Sequence, residues 1–514
     1  MAGQLGCSNY RRMLVIFLTM PIIIGCALSE PITTTVVPAL ATLPSTITQS
    51  GTPSPPSFLP PTRVPGSPIL SPTPDEPHAL PTTRSKTLNY VVQPNDTLGL
   101  ISRQYGIGIP SLMKANKLTN PDLLSVGQQL AIPPPAPAKP GPDFKIIPDS
   151  ELVFGPASAS LDLSSFVAGA KGYLGNYSED VDGQNMTGAE IVNRVSREYS
   201  VNPRLLLALL EYRSGWLQNP DPPENSLKYP LDFQNSAYQG LYKQLSWGAN
   251  NLNRGYYLWK VNAISNWVLA DGTSVPAAAT INAGTAGVQY LMSQLFDHST
   301  WLTSVSAGGF IKTYRDLFGY PFDYTIDPLI PPNLTQPPLQ LPFEKGKVWS
   351  FTGGPHPGWD EGSAWAALDF APPGDALGCV QSDEWVVASA NGLIVRSGNG
   401  AVVQDLDGDG YEQTGWTILY MHIETRDRVS VGKYLHAGDR IGHPSCEGGV
   451  ATGTHVHIAR RYNGEWISAD GPLPFILDGW VSEGAGTEYD GYLRRNGTTV
   501  EAWDSRRPEN QIQR

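Results

Sequence analysis

Hydrophobic and polar positions fall into stretches of different period, and each period predicts a different element. Met13 to Gly25 is a run of thirteen apolar or small residues. It is too short to span a bilayer as a helix but suits the core of a secretory signal, preceded by Arg11 and Arg12. Residues 27–87 show no period. Stretches such as PSPPSFLPPTRVPGSPILSPTPDEP bury too little to fold and predict a disordered Pro/Ser/Thr-rich tether. Its roughly 60 residues would span on the order of 40 Å as a coil, or about 190 Å as polyproline II. Over 88–133 a short β run at Tyr90–Val92 is followed by Leu98, Ile101 and Tyr105 at helical spacing, with Asn95 or Asp96 as the expected cap. Leu112, Met113 and Ala115 predict a second helix and Leu130–Ile132 a closing strand, giving a β-α-α-β plan. In 150–326, Thr187 with Glu190 forms a capping box, and Asn202 with Pro203 starts a helix, PRLLLALLEYRSGWL, that is apolar nearly all round and must be buried.

From 343 to 475 the period is that of strands. DEWVVASANGLIVRSG and VSVGKYLHAGDRIGHP each predict a hairpin, and WTILYMHIE a single alternating strand. A 476–514 extension carries another hairpin in DGYLRRNGTTVEAW. Pro-rich linkers are expected at 134–149 and 327–342. The predicted fold class is therefore multidomain: a small α+β module, a mainly α-helical middle domain and an all-β antiparallel domain.

Composition narrows the partners. A net charge of -12 over 514 residues, with no basic stripe, argues against a nucleic-acid binder. Of four cysteines, Cys7 would leave with the signal; Cys26 follows it directly. Cys379 and Cys446 remain as a candidate disulfide, which in an exported protein would restrict the unfolded chain by about 4 kcal/mol.

Six of the eight histidines lie between 356 and 457. In GTHVHIA, His455 and His457 share one face of a strand, roughly 7 Å apart. His422 ends another strand, and His356 stands thirteen positions before Asp369. Imidazoles gathered on one sheet face are costly as core but serve as zinc ligands or proton carriers. His436 and His443 read as loop residues, with His443 near enough to Cys446 to line a cleft wall; His78 falls in the tether and His298 at a helix end. DLDGDGYEQTG opens like a calcium loop at Asp405, Asp407 and Asp409, but its twelfth position is Trp416, so a polar hairpin loop is the leading reading.

Four resemblances add to these readings. Ile23-Ile24-Gly25-Cys26 looks like a bacterial lipobox, which implies acylation of Cys26 and an exported, lipid-anchored protein of the cell envelope. Pro94-Asn95-Asp96-Thr97-Leu98 and Val126 to Pro133 resemble a LysM module, which implies binding of peptidoglycan glycan. The helix at 203–217, with Asn282-Ala283-Gly284, weakly resembles lysozyme-like lytic transglycosylases. There the acidic catalyst would occupy Arg213, a guanidinium that cannot donate the proton, and Glu211 lies two positions earlier, so a non-catalytic domain is expected. Finally, His356, Asp369, His422, His455 and His457 resemble the lysostaphin and beta-lytic (LytM-like) zinc metallopeptidases, and the thirteen-residue gap is that of the beta-lytic branch. This implies one zinc ion on His356, Asp369 and His457, with His422 and His455 moving a proton or stabilising an oxyanion, and the peptide part of peptidoglycan as substrate. Two alternatives stay open: a catalytically silent regulator of other wall hydrolases, and a glycan-cleaving enzyme acting through the middle domain.

Overall fold

The computed structural model describes residues 72, 74–81, 84–135 and 138–514. The expected signal, Cys26 and most of the expected tether lie outside the described residues. No helix among the described residues is long and apolar enough to cross a membrane.

The first module has the expected order: strand Leu88–Val91, helices Leu98–Tyr105 and Ile109–Asn116, strand Gln129–Ile132, the two strands antiparallel. Its core is Val92, Leu98, Ile101, Ile107, Leu112, Leu130 and Ile132. The first helix is capped by Thr97, whose hydroxyl accepts from Leu100 N–H. Asp96 cannot also serve, because its carboxylate accepts from the Tyr90 hydroxyl and Gln93 N–H.

In the helical region, the Thr187 capping box and the Asn202 cap form as the sequence predicts. Residues 203–210 are buried throughout, in a core shared with Leu241–Lys260 and Ala283–Leu295. Charge is buried there too. Glu151 is fully buried, takes Arg204 at 2.6 Å and accepts from Asn202 and the Tyr314 hydroxyl.

Both expected linkers carry core residues: Ile146 and Ile147 in the first, Leu339 and Leu341 in the second, are buried. Pro-rich composition marked an absence of helix and strand, but these apolar side chains still find partners. The last part of the expected tether behaves likewise. His78 N–H donates to Ala279 O at 2.7 Å, and its ring stacks on Trp259 with centroids 4.5 Å apart.

The carboxy-terminal region is built on a mostly antiparallel nine-stranded sheet. Its path runs Tyr434–Leu435, Gly392–Gly398, Ala401–Asp405, Trp416–Met421, Val456–Tyr462, Ala367–Ala371, Val348–His356, Gln511–Gln513, with Glu465–Trp466 pairing off Val456–Tyr462. Two expected hairpins do not form. Val386–Val387 pairs with Arg440–Gly442, while Gly392–Gly398 pairs with Ala401–Asp405 and Tyr434–Leu435. Alternation and Asn-Gly mark where strands begin and end, not which strand is the neighbour. The hairpin Gly491–Arg495 to Thr498–Glu501 does form.

The helical and β regions are joined through charge. Glu412, in the loop after Asp405, is buried among Arg197 of the helical region and Arg396 and Arg461 of the sheet, at 2.5, 3.1 and 2.7 Å. Burial alone would raise its pKa, but the three guanidiniums bring it down to about 2.

Candidate active site

Strand register assembles the site. His457 lies directly opposite Asp369, and Met421, the residue before His422, opposite His457. The strand Val348–His356 pairs with Ala367–Ala371 through register shifts on both sides of Gly353, and these bring His356 back over the pair. Gly353 is required for that approach, since a Cβ there would lie 2.7 Å from Asp369 Oδ2.

His356, Asp369 and His457 are buried, and their ligand atoms form one group able to hold a metal ion. His356 Nε2 is 2.9 Å from His457 Nδ1, and each nitrogen is 3.3 Å from Asp369 Oδ1. Metal bonds of about 2.0–2.1 Å at tetrahedral angles place donor atoms roughly 3.3–3.4 Å apart. The outer nitrogens are already committed: His356 Nδ1–H donates to Gly354 O at 2.8 Å and His457 Nε2–H to Gly358 O at 3.1 Å. In the neutral rings, lone pairs therefore converge on a carboxylate oxygen that is buried without a hydrogen-bond partner. A cation is what this donor set lacks, and carbonyl partners on the outer nitrogens are how ligating histidines are oriented. Burial pushes the Asp369 carboxyl up, and His356 and His455 hold it well below its usual range only in their protonated forms.

His422 and His455 sit beside this group with ring centroids 4.4 Å apart. His455 Nδ1–H donates to Gly453 O at 2.7 Å, and its Nε2 is 3.7 Å from Asp369 Oδ2. His422 Nδ1–H donates to Glu447 O at 3.1 Å. Burial, with His455 and His457 adding to it, lowers His422 to about 3, so the ring is neutral at neutral pH and its Nε2 carries a lone pair.

A cleft of 1230 Å³ opens over His356, His422 and His457. The segment after His356 forms part of its wall through Pro357 to Glu361, and the helical region supplies the opposing wall, including Arg194, Glu198 and Tyr242. Tyr199 ties the two together, meeting Trp359 edge to face and donating to Asp360 Oδ2 at 3.1 Å.

Tyr489 is a further residue of the site, one that no motif or spacing marks. Its ring stacks on His356 with centroids 4.2 Å apart, and its N–H and C=O pair with Pro355 O and Gly354 N–H. The readable signal was only an aromatic residue in an extension of unknown role.

Other candidates lie apart. His443 is buried under Trp385 and donates to Glu384 O at 2.9 Å; it does not line the cleft. His436 is exposed and His298 begins a short helix. Cys379 and Cys446 form a disulfide. The carboxylates of Asp405, Asp407 and Asp409 converge, but Asp405 already accepts from the N–H groups of Asp407 and Gly410, as a polar hairpin loop does. Glu211 accepts from the N–H groups of Leu217 and Gln218, and Arg213 is paired with Asp232 at 2.8 Å.

Comparisons with known proteins fit this arrangement. Residues 90–133 match the family model described as LysM domain, and residues 145–332 the model described as LasA, N-terminal domain. Protease LasA of Pseudomonas aeruginosa is 26% identical over 305 residues, which cover 55% of this chain and 68% of that protein. Beta-lytic metalloendopeptidase of Lysobacter enzymogenes is 28% identical over 166 residues, 31% of this chain and 89% of that protein. Among solved structures, the M23 metalloprotease pseudoalterin is 24% identical, covering 35% of this chain and 99% of its own, with a TM-score of 0.28. Together the family matches and the relatives support a LysM domain combined with a LytM-type metallopeptidase. Within that class, the middle region is similar to the amino-terminal domain of LasA.

Proposed function

We propose that this protein is a zinc metalloendopeptidase of the bacterial cell envelope that hydrolyses peptide bonds in peptidoglycan stem peptides or cross-links. The observation that carries the reading is the buried Asp369 oxygen without a hydrogen-bond partner, faced by two imidazole nitrogens at 3.3 Å. His356, Asp369 and His457 would hold one zinc ion, which supplies a Lewis acid that activates water and polarises the scissile carbonyl. His422 accepts the proton from the attacking water through Nε2 and passes it to the leaving amine. His455, whose ring lies against His422, is the second imidazole placed to carry a proton beside the metal group. Tyr489, stacked on His356, keeps that ring in place at the cleft edge. The LysM module binds glycan and raises the local concentration of peptide bonds at the cleft. The lipidation of Cys26 would anchor the whole to a membrane.

Digestion of purified peptidoglycan, with and without a zinc chelator and with fragments read by mass, tests this. New amino groups on peptide fragments, abolished by chelator and by His457→Ala, are expected. Chelator-insensitive sugar reducing ends would instead assign the chemistry to the helical region. Wall binding with no new fragments would assign a regulatory role.

A further inference from the structure

His422 is held in an unusual way. Its φ is +62°, a left-handed conformation that costs a non-glycine residue of order 1–3 kcal/mol unless its surroundings enforce it. The hydrogen bonds to His422 O and to its ring come from one segment. Ser445 N–H and its hydroxyl donate to His422 O at 2.7 and 3.0 Å, and Glu447 O receives the Nδ1–H of the ring. Backbone and imidazole of the same residue are thus held by Ser445 and Glu447, on either side of Cys446.

That segment is itself secured from three sides. The Glu447 carboxylate accepts from Thr425 N–H at 2.8 Å and the Thr425 hydroxyl at 2.7 Å, and pairs with Arg428 at 3.4 Å. Gly448 rests on the Asn399–Gly400 turn so closely that a Cβ would stand 2.4 Å from Asn399 O. Cys446 is bonded to Cys379, and the Cys379 strip is hydrogen-bonded to the strand entry just before His455, through Thr454 N–H to Gly378 O at 3.1 Å and Val380 N–H to the Thr454 hydroxyl at 2.9 Å.

Resting on the peptidase reading above, we propose that Glu447 is the positioning residue for His422, and that the Cys379–Cys446 disulfide is the pin that keeps Glu447 in register. Glu447 lines the rim of the cleft but is not part of the metal group. Its carboxylate folds the segment back onto Thr425, and that fold aims its carbonyl at His422 Nδ1. With Nδ1–H committed, Nε2 is the nitrogen left to take a proton. Loss of the carboxylate frees the carbonyl to turn away, and the ring then samples both tautomers and other rotamers.

The test uses the full chain carrying Glu447→Ala, Glu447→Gln, and the double change Cys379→Ser with Cys446→Ser. On a defined wall peptide, Glu447→Ala and the double variant are expected to lower kcat about 10- to 100-fold, the usual cost of losing an orienting partner, with KM and zinc content unchanged. Glu447→Gln keeps an acceptor for Thr425 N–H and is expected to recover most of the rate. Wild-type kcat in Glu447→Ala overturns the proposal, as does loss of zinc in step with the rate. The ¹⁵N signals of His422 give a readout independent of activity: a single Nδ1–H tautomer in the wild type and a mixture in Glu447→Ala. An unchanged tautomer overturns the proposal even if the wild type shows no hydrolysis, an outcome that would count separately against the peptidase reading.

Discussion

Two buried carboxylates, one in each large region, have opposite surroundings. In the helical region Glu151 meets fixed donors: the Arg204 guanidinium, the Asn202 amide and the Tyr314 hydroxyl. In the β region Asp369 meets imidazoles whose donor hydrogens are already given to Gly354 and Gly358. The first charge is closed by the protein itself and serves the fold. The second meets lone pairs rather than donors, the arrangement proposed to hold a cation, and the cleft lies above it. Burial alone distinguishes neither, since both are less than a tenth exposed. What the neighbours can donate decides.

The comparison is broken most severely at Asp369. Asp369→Ala or His457→Ala is expected to abolish zinc binding and to lower hydrolysis on the order of 10³-fold or more, measured on purified wall, because the metal supplies several kcal/mol of transition-state stabilisation. Next, His422→Ala should cost about 10²–10⁴-fold in kcat with zinc retained, read by rate and metal content together. Glu151→Ala reaches the other carboxylate. Removing one partner of a buried pair costs about 3–5 kcal/mol, so denaturant unfolding should weaken by that amount while the folded fraction still holds zinc.

Smaller effects sharpen the contrast at the joint between the regions. Glu412 falls from an ordinary 4.5 to about 2 in the folded chain. A depressed folded pKa means that its stabilisation is full above about 4.5 and is lost as pH falls toward 2. Glu412→Gln should therefore be less stable than wild type at neutral pH, and the gap should close as acid is added. Smallest of all, Asp407→Asn is expected to shift stability by less than about 0.5 kcal/mol, with or without added calcium.

Much of this was legible in the chain. Capping residues at Thr187 and Asn202 and the β-α-α-β order carry local or periodic signals, and the structure honours them; His356, Asp369 and His457 were picked out by a family resemblance, and the structure brings their side chains together. Strand partners were not legible, because Val386–Val387 finds its neighbour more than fifty residues away, at Arg440–Gly442. Nor were the linkers, where Leu339 and Leu341 pack between prolines, or His78, whose partner Trp259 is distant in sequence. Tyr489 and Glu447 were invisible for the same reason. One acts through ring stacking and the other largely through its backbone carbonyl, and neither leaves a spacing to read.

The most direct test of the account is the zinc content of the purified full chain, set beside its hydrolysis of peptidoglycan. One zinc per chain is expected in the wild type, none in His457→Ala, and activity that disappears with the metal and returns when it is restored. A wild-type protein that binds no zinc, or that cleaves wall peptides equally well in excess chelator, would contradict it.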